Sequence, residues 1–158
     1  MNIALIGTTK IAKVHFEFLE KNIKKSRFFI ISRNLKKANQ FIDTLNYKKN
    51  TKVLASKINI LKKKNFSIID ICAKTSQHHL ILNRINLKKK IIFIEKPLFN
   101  PKLIKYDTIS YLNRLYKKHN KLVVCYPFLE LANSTKLILP NIKIKNIVFN
   151  FFTNGKNR

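Results

Sequence analysis

The sequence contains no tryptophan, two glycines, two cysteines and only seven acidic residues among 158. Two cysteines inside apolar runs, Cys72 and Cys125, argue against a disulfide-stapled secreted scaffold and predict buried free thiols. No apolar run reaches the roughly 18–20 residues of a membrane-spanning helix, and the start lacks the basic and apolar regions of a signal peptide. We therefore expect a cytoplasmic protein without a membrane partner.

The scarcity of acidic residues leaves a formal net charge of +26, from 33 lysines and arginines. Only five of these are arginine, the residue that nucleic-acid surfaces favour for bidentate contacts. The lysines are spread along the chain, as in 62–64 and 88–90, at predicted helix ends where cations are tolerated. This spread, which A+T-rich coding also produces, favours a solvated surface over a nucleic-acid partner. A polyanion-binding role stays open as the alternative.

Apolar runs of strand length alternate with segments of helical period, which predicts parallel strands joined by helical crossovers. The predicted strands are residues 2–6, 28–32, 52–54, 67–73, 91–95 and 121–126. The predicted helices cover about 10–21, 35–45, 77–87 and 101–119, with an amphipathic turn through 60–66. In the first helix, Ile11, Val14, Phe18 and Leu19 lie near 3.6-residue spacing. The fold class is α/β, a three-layer Rossmann-type doubly wound parallel sheet of about six strands.

The alternation of strand and helix patterns ends after residue 126. Residues 129–139 could form a helix and 144–152 a strand, followed by turn-forming residues to Arg158. A strand without a following partner would be an exposed edge. We expect two domains, 1–126 and 127–158, the second being a short helix and strand remnant that begins a truncated domain. Such an edge favours a homo-oligomer or a complementing polypeptide as partner.

The turn after the first strand, Gly7 to Ala12, partly fits the dinucleotide pattern G-x-G-x-x-G/A. Gly7 suits the tight turn and Ala12 the close helix packing, while Thr9 replaces the glycine that lets backbone approach pyrophosphate. The Thr9 hydroxyl could still donate a hydrogen bond to a phosphate, and the helix start offers free N–H groups. Taken alone, the turn is also compatible with a glycine that merely ends a strand.

Two further strand ends carry polar residues. After the second strand, Ser32 and Arg33 stand where NAD-dependent domains often have a carboxylate, which favours a 2′-phosphate and hence NADP over NAD. A surface arginine without a ligand is the alternative. After the fifth strand, Lys96 in Glu95-Lys96-Pro97 lies where parallel sheets bind ligands, and could act as an acid or point charge. Pro97 fixes the chain direction, through a cis bond if the turn requires one.

Several segments in this order and spacing resemble the Gfo/Idh/MocA oxidoreductases. They are Ile3–Gly7 with Ile11–His15, Ser67–Ala73 with Thr75–His78, and Ile91–Leu98, and the resemblance covers residues 1–126. It implies an NAD(P)-binding domain of an oxidoreductase for a sugar, cyclitol or sugar nucleotide, with Lys96 catalytic. The implied cofactor-binding residues are Gly7, Thr8, Thr9, Ile11, Ala12, Ser32, Arg33, Ala73, Thr75, His78, Glu95, Lys96 and Pro97.

The chain departs from the family pattern at several positions. Lys74 stands where the family usually has a proline, and Lys88 where it has a glycine. The family's larger C-terminal domain supplies a further catalytic Asp and His, which this chain ends too early to contain. We therefore expect cofactor binding without complete catalysis. The alternative is a non-enzymatic binding or assembly protein that has lost its cofactor. The adjacent pair His78-His79 has no acidic or cysteine partner at ligand spacing, so we expect no metal site.

Overall fold

The computed structural model describes residues 1–85, 90–98 and 122–125. The strands are β1 (Asn2–Ile6), β2 (Arg27–Ile31), β3 (Lys52–Ser56), β4 (Ile68–Ile71), β5 (Ile91–Glu95) and β6 (Leu122–Cys125). The helices of this part are α1 (Lys10–Asn22), α2 (Leu35–Asp43), α3 (Ile60–Lys63) and α4 (Thr75–Arg84). The predicted helices 101–119 and 129–139 and the predicted strand 144–152 lie outside the described residues.

All six strands pair in parallel, in the order β3-β2-β1-β4-β5-β6. Parallel strands need crossover connections, which is why helices alternate with strands along the chain. The chain builds outward from β1 in one direction and from β4 in the other, so the strand order reverses between these two strands. The predicted Rossmann-type α/β fold is confirmed.

Both faces of the sheet are apolar, as expected for strands buried on two sides. On one face, Phe16 of α1 packs against Phe28 of β2 with ring centroids 4.7 Å apart, beside Ala12 and Leu19. On the other face, Phe66 lies 5.2 Å from Phe29, together with the buried residues of α3 and α4. These two cores fix the positions of the strand ends at which the site lies.

Helix α1 forms where the apolar spacing predicted it, but it buries mostly other residues than those that carry this spacing. The helix buries Ala12, Phe16 and Leu19, whereas Phe18 is 64% exposed and Ile11 and Val14 are exposed as well. Both sets have helical spacing, so periodicity could not choose between them. The face that packs is the one whose small Ala12 allows α1 to approach the sheet.

Contacts between backbone positions divide the chain into Met1–Tyr126 and Pro127–Arg158. The second of these lies outside the described residues. None of the helices in the described part of the chain has both the length and the hydropathy of a membrane span.

Candidate functional site

The point where the strand order reverses lies between the carboxyl ends of β1 and β4. In open parallel sheets this is where a crevice forms and where ligands bind. The predicted glycine turn follows β1, and two other predicted site segments follow β4 and β5. The fold therefore brings the turn at Gly7, the segment from Ala73 and the tripeptide from Glu95 to one edge of the sheet.

Gly7 occupies a position that only glycine fits. Its φ is +122°, and a Cβ added there would lie 2.7 Å from the carbonyl oxygen of Cys72 and 3.0 Å from the backbone nitrogen of Ala73. The Gly7 N–H donates to the carbonyl of Ile31 at 3.0 Å. The turn after β1 thus packs closely against the end of β4, as the first glycine of a dinucleotide turn does.

Thr9 is the N-cap of α1. Its hydroxyl oxygen accepts from the Ala12 N–H at 3.2 Å, and the hydroxyl donates to the Cys72 carbonyl, also at 3.2 Å. From the sequence, this hydroxyl was a candidate donor to a phosphate. In the structure it donates to the Cys72 carbonyl instead, which leaves phosphate contact at this turn to the backbone and to other side chains.

The first turn of α1 has backbone donors to offer. Among the described residues, the N–H groups of Lys10 and Ile11 have no acceptor, since the helix ladder starts with Lys13 donating to Thr9. No acidic side chain lies in this turn, and the positive end of the helix dipole favours an anion. Ala12 is buried and small, which keeps the helix close to the sheet. These features fit the pyrophosphate of a dinucleotide.

The residues predicted to lie at the adenosine end of the site follow β2. Ser32 is half-buried, donating its N–H to Ser56 at 3.1 Å, and Arg33 beside it is exposed. Asn34 then caps α2 by accepting from the Lys36 N–H at 2.8 Å. No carboxylate belongs to this segment.

The tripeptide from Glu95 to Pro97 differs in solvent exposure along its length. Lys96 and Pro97 are exposed and joined by a cis peptide bond, whereas Glu95 is mostly buried. Its carboxylate contacts Nε2 of His15 at 3.0 Å. The geometry therefore leaves Lys96, and not Glu95, available to a ligand.

His78 was expected to border the cofactor cleft, but it is fully buried. Its Nε2 lies 2.8 Å from the Ala73 carbonyl and its Nδ1 3.2 Å from the Leu98 carbonyl. This ring connects the segment after β4 to the segment after Pro97. The half-buried Thr75 begins α4, two residues earlier than predicted, next to this connection.

Sequence reasoning missed a charged cluster beneath this edge. His15 of α1 contacts Asp70 through Nδ1 at 2.9 Å and Glu95 through Nε2 at 3.0 Å. The hydrogen bond to Asp70 raises the pKa of His15 above its usual value, against the opposing effect of burial, and the charges of both carboxylates act in the same direction. These residues are far apart in sequence, so only the sheet topology brings them together.

Both cysteines adjoin this cluster. The Cys72 thiol lies 3.4 Å from Asp70 Oδ1 and 3.4 Å from His15 Nδ1. Burial and the charge of Asp70 raise the pKa of Cys72 well above its usual value, and burial raises the pKa of Cys125 to about 11. The predicted buried, unpaired thiol is found at Cys72, and Cys125 is half-buried and unpaired.

A parallel sheet with a glycine turn at its reversal point defines a nucleotide-binding α/β domain. A model of the Gfo/Idh/MocA oxidoreductase family, described as its NAD-binding Rossmann fold, matches residues 1–126. The chain belongs to this family, and the matched residues are its NAD-binding Rossmann domain. No curated protein sequence matches the chain.

Solved structures of the same fold include myo-inositol dehydrogenase from Corynebacterium glutamicum, with a TM-score of 0.61 and 17% identity over 85% of this chain and 40% of that one. Scyllo-inositol dehydrogenase from Lactobacillus casei, with bound NAD(H) and scyllo-inositol, has a TM-score of 0.60 and 13% identity over 84% of this chain and 37% of that one. The WlbA dehydrogenase from Chromobacterium violaceum, with NADH and UDP-GlcNAcA, has a TM-score of 0.59 and 18% identity over 79% of this chain and 34% of that one. The chain thus spans well under half of each of these proteins.

Proposed function

We propose that the edge at Gly7 holds a dinucleotide in an extended pose. The pyrophosphate lies on the Lys10 and Ile11 N–H groups, the adenosine ribose lies by Ser32 and Arg33, and the nicotinamide lies by Lys96. The observation that carries this proposal is the Gly7 turn. Its φ is +122°, and the absence of a Cβ leaves room for the Cys72 carbonyl, so that the start of α1 lies at the strand reversal. That placement matches the general rule for dinucleotide sites in open parallel sheets.

The reaction class follows from the family and from the solved relatives that hold inositols or a sugar nucleotide. We propose oxidation or reduction between a secondary hydroxyl and a carbonyl on a sugar, cyclitol or sugar nucleotide. A bound nicotinamide accepts or supplies the hydride of such a reaction. The exposed ammonium of Lys96 would then hold or return the proton on the substrate oxygen.

Turnover needs a substrate-holding surface as well as a cofactor. Because the chain spans 34–40% of the three relatives described above, we propose that residues 1–126 bind cofactor and do not catalyse alone. A complementing polypeptide, or a second copy of this chain, would supply the remaining surface.

The preference between cofactors depends on Arg33. An exposed guanidinium after β2, with Ser32 beside it and no carboxylate to repel an anion, favours the 2′-phosphate of NADP over the hydroxyl of NAD. The experiment is a fluorescence titration of the full chain with NADPH and with NADH. Arg33→Asp should weaken NADPH binding by about 10–100-fold, the value of a charge-assisted hydrogen bond, and leave NADH nearly unchanged.

Lys36→Asp is the matched control, because it makes the same charge change on an exposed position of α2. An equal loss of NADPH affinity in both variants would reduce the role of Arg33 to general surface charge. Failure of wild-type protein to bind either cofactor at millimolar concentration would overturn the binding proposal itself.

Lys96→Ala tests the nicotinamide end of the site. We expect weaker cofactor binding, or loss of any turnover in the presence of a complementing partner, with an unchanged far-ultraviolet circular dichroism spectrum. Lys74→Ala, at another exposed lysine after a neighbouring strand, should have neither effect. Unchanged binding and turnover in Lys96→Ala would remove this residue from the site.

A second candidate function rests on charge. A hollow of about 410 Å³ at the opposite edge of the sheet is lined by Lys25, Arg27 and Lys52, together with the amino terminus. In a protein of charge +26 this surface could bind a polyanion and serve assembly instead of catalysis. RNA binding with a steep salt dependence, in protein that binds neither cofactor, would favour this function; a shallow slope or no binding would exclude it.

A further inference from the structure

The cluster beneath the cofactor edge gathers an unusual share of the chain's metal-binding side chains. Five donors, from α1, β4, β5, β6 and the residue after β4, lie in two overlapping groups: His15, Asp70 and Cys72, and His15, Glu95 and Cys125. Within each group the donor atoms lie within 4.8 Å of one another. These five include both cysteines of the chain and two of its seven carboxylates.

The first group has the spacing of ligands around one ion. Nδ1 of His15 is 3.1 Å from Oδ1 of Asp70, and Sγ of Cys72 is 3.4 Å from each of these atoms. A tetrahedral zinc ion, with bonds of about 2.0–2.3 Å, separates its donors by roughly 3.2–3.6 Å. An ion could therefore reach all three atoms after shifts of a few tenths of an ångström.

The surroundings of this triad resemble those of established metal sites. A ligating histidine usually donates its second ring N–H to a carboxylate, which fixes the ring orientation and leaves the other nitrogen free to coordinate. Oε1 of Glu95 lies 3.0 Å from Nε2 of His15, where such a carboxylate partner belongs. Asp70 and Cys72 are each 1% exposed, so bulk water hardly competes for the ion.

Among the described residues, no lysine or arginine forms an ion pair with the cluster. Although the chain has 33 lysines and arginines, within residues 1–85, 90–98 and 122–125 the ion-pair partner of Asp70 and Glu95 is His15 alone. The two carboxylates thus share one imidazole, in a protein with a large excess of cations elsewhere. A nitrogen, a carboxylate oxygen and a thiolate together match the donor preference of zinc.

We propose that His15 Nδ1, Asp70 and Cys72 bind a divalent cation of the zinc class, with Glu95 orienting the imidazole and Cys125 or water as the fourth ligand. Binding displaces one proton from Nδ1 and one from the Cys72 thiol, and no electron is transferred. The site adjoins the cofactor edge because Cys72 also contacts Gly7 and Thr9. It does not depend on the proposed dinucleotide binding.

The test is a titration of the EDTA-treated full chain with Co²⁺ alone, followed by optical absorption. We expect a thiolate-to-cobalt charge-transfer band that saturates at one equivalent, tetrahedral d–d bands in the visible range, and loss of both when Zn²⁺ is added. Cys72→Ser should abolish the charge-transfer band. Cys125→Ser should retain it.

Two further variants separate ligation from folding. Glu95→Gln should weaken Co²⁺ binding by about 10–100-fold while the band keeps its shape, as expected for a residue that orients a ligand. His79→Ala removes a half-buried histidine of α4 outside the cluster and should change nothing. The circular dichroism of each variant shows whether its fold is intact.

Absence of a charge-transfer band in folded wild-type protein would overturn the proposal and leave the triad as a hydrogen-bonded network that holds only protons. A band that survives Cys72→Ser but vanishes in Cys125→Ser would also overturn it, because the ion would then occupy the second group. Cofactor titrations of the same samples report separately on the dinucleotide site.

Discussion

At the scale of single residues, the site depends most on Gly7, one of only two glycines in the chain. The pattern in the sequence identified this position, because a strand followed by glycine and a helix predicts a tight turn. It could not show what the glycine packs against. The backbone of Cys72 and Ala73 is that neighbour, 65 residues further along the chain, and it becomes visible only once β1 pairs with β4.

Gly7→Ala should destabilise the fold strongly. The added Cβ would meet backbone atoms at 2.7–3.0 Å, and a non-glycine residue at this φ costs a further ~1–3 kcal/mol. Urea denaturation should therefore show a loss of at least ~2 kcal/mol in the free energy of unfolding. Lys10→Ala, an exposed change in the same turn, is the control, and a Gly7→Ala variant as stable as that control would refute the packing argument.

Lys74, where the family usually has proline, retains a geometry that suits proline. Its φ is −60° and its ψ is 141°, and within the described residues its N–H has no hydrogen-bond acceptor. Lys74→Pro should thus stabilise the protein by about 0.4–1 kcal/mol through a less flexible unfolded chain. Thermal unfolding beside Lys74→Ala measures the gain, which should be absent in the alanine variant.

At the scale of elements, the strands were predictable and the helix faces were not. A parallel strand buried on both sides appears in the sequence as a continuous apolar run, and β1 and β5 have the predicted bounds while β2 shifts by one residue. Helix α1 carries apolar residues on two faces, so the sequence left its orientation undecided. Contacts such as that between His15 and Glu95 join elements 80 residues apart and have no local pattern.

A matched pair of alanine variants checks the orientation of α1. Phe16 is fully buried against Phe28, whereas Phe18 is 64% exposed. Phe16→Ala should cost about 3–5 kcal/mol of stability, and Phe18→Ala should remain within about 0.5 kcal/mol of the wild type. Comparable losses from both, in chemical denaturation, would mean that both faces of the helix are covered.

At the scale of the whole molecule, the open question is where the cofactor domain ends. The family model matches residues 1–126. In the sequence, the alternation of strand and helix patterns also ends at residue 126. We predict that a chain ending at Tyr126 unfolds cooperatively and self-associates less than the full chain. Circular dichroism melts and light scattering of the two forms test this, and loss of cooperative unfolding would assign residues 127–158 to the first domain.

The strand order has a consequence for synthesis on the ribosome. Strand β1 is made first and lies at the centre of the sheet, yet Ile3 pairs with Ile68, 65 residues later. At about 5–20 residues per second, an apolar strand therefore waits roughly 3–13 s for its second neighbour to be made. During this interval only β2 can cover one of its edges, so the nascent chain is most exposed to aggregation before β4 leaves the exit tunnel.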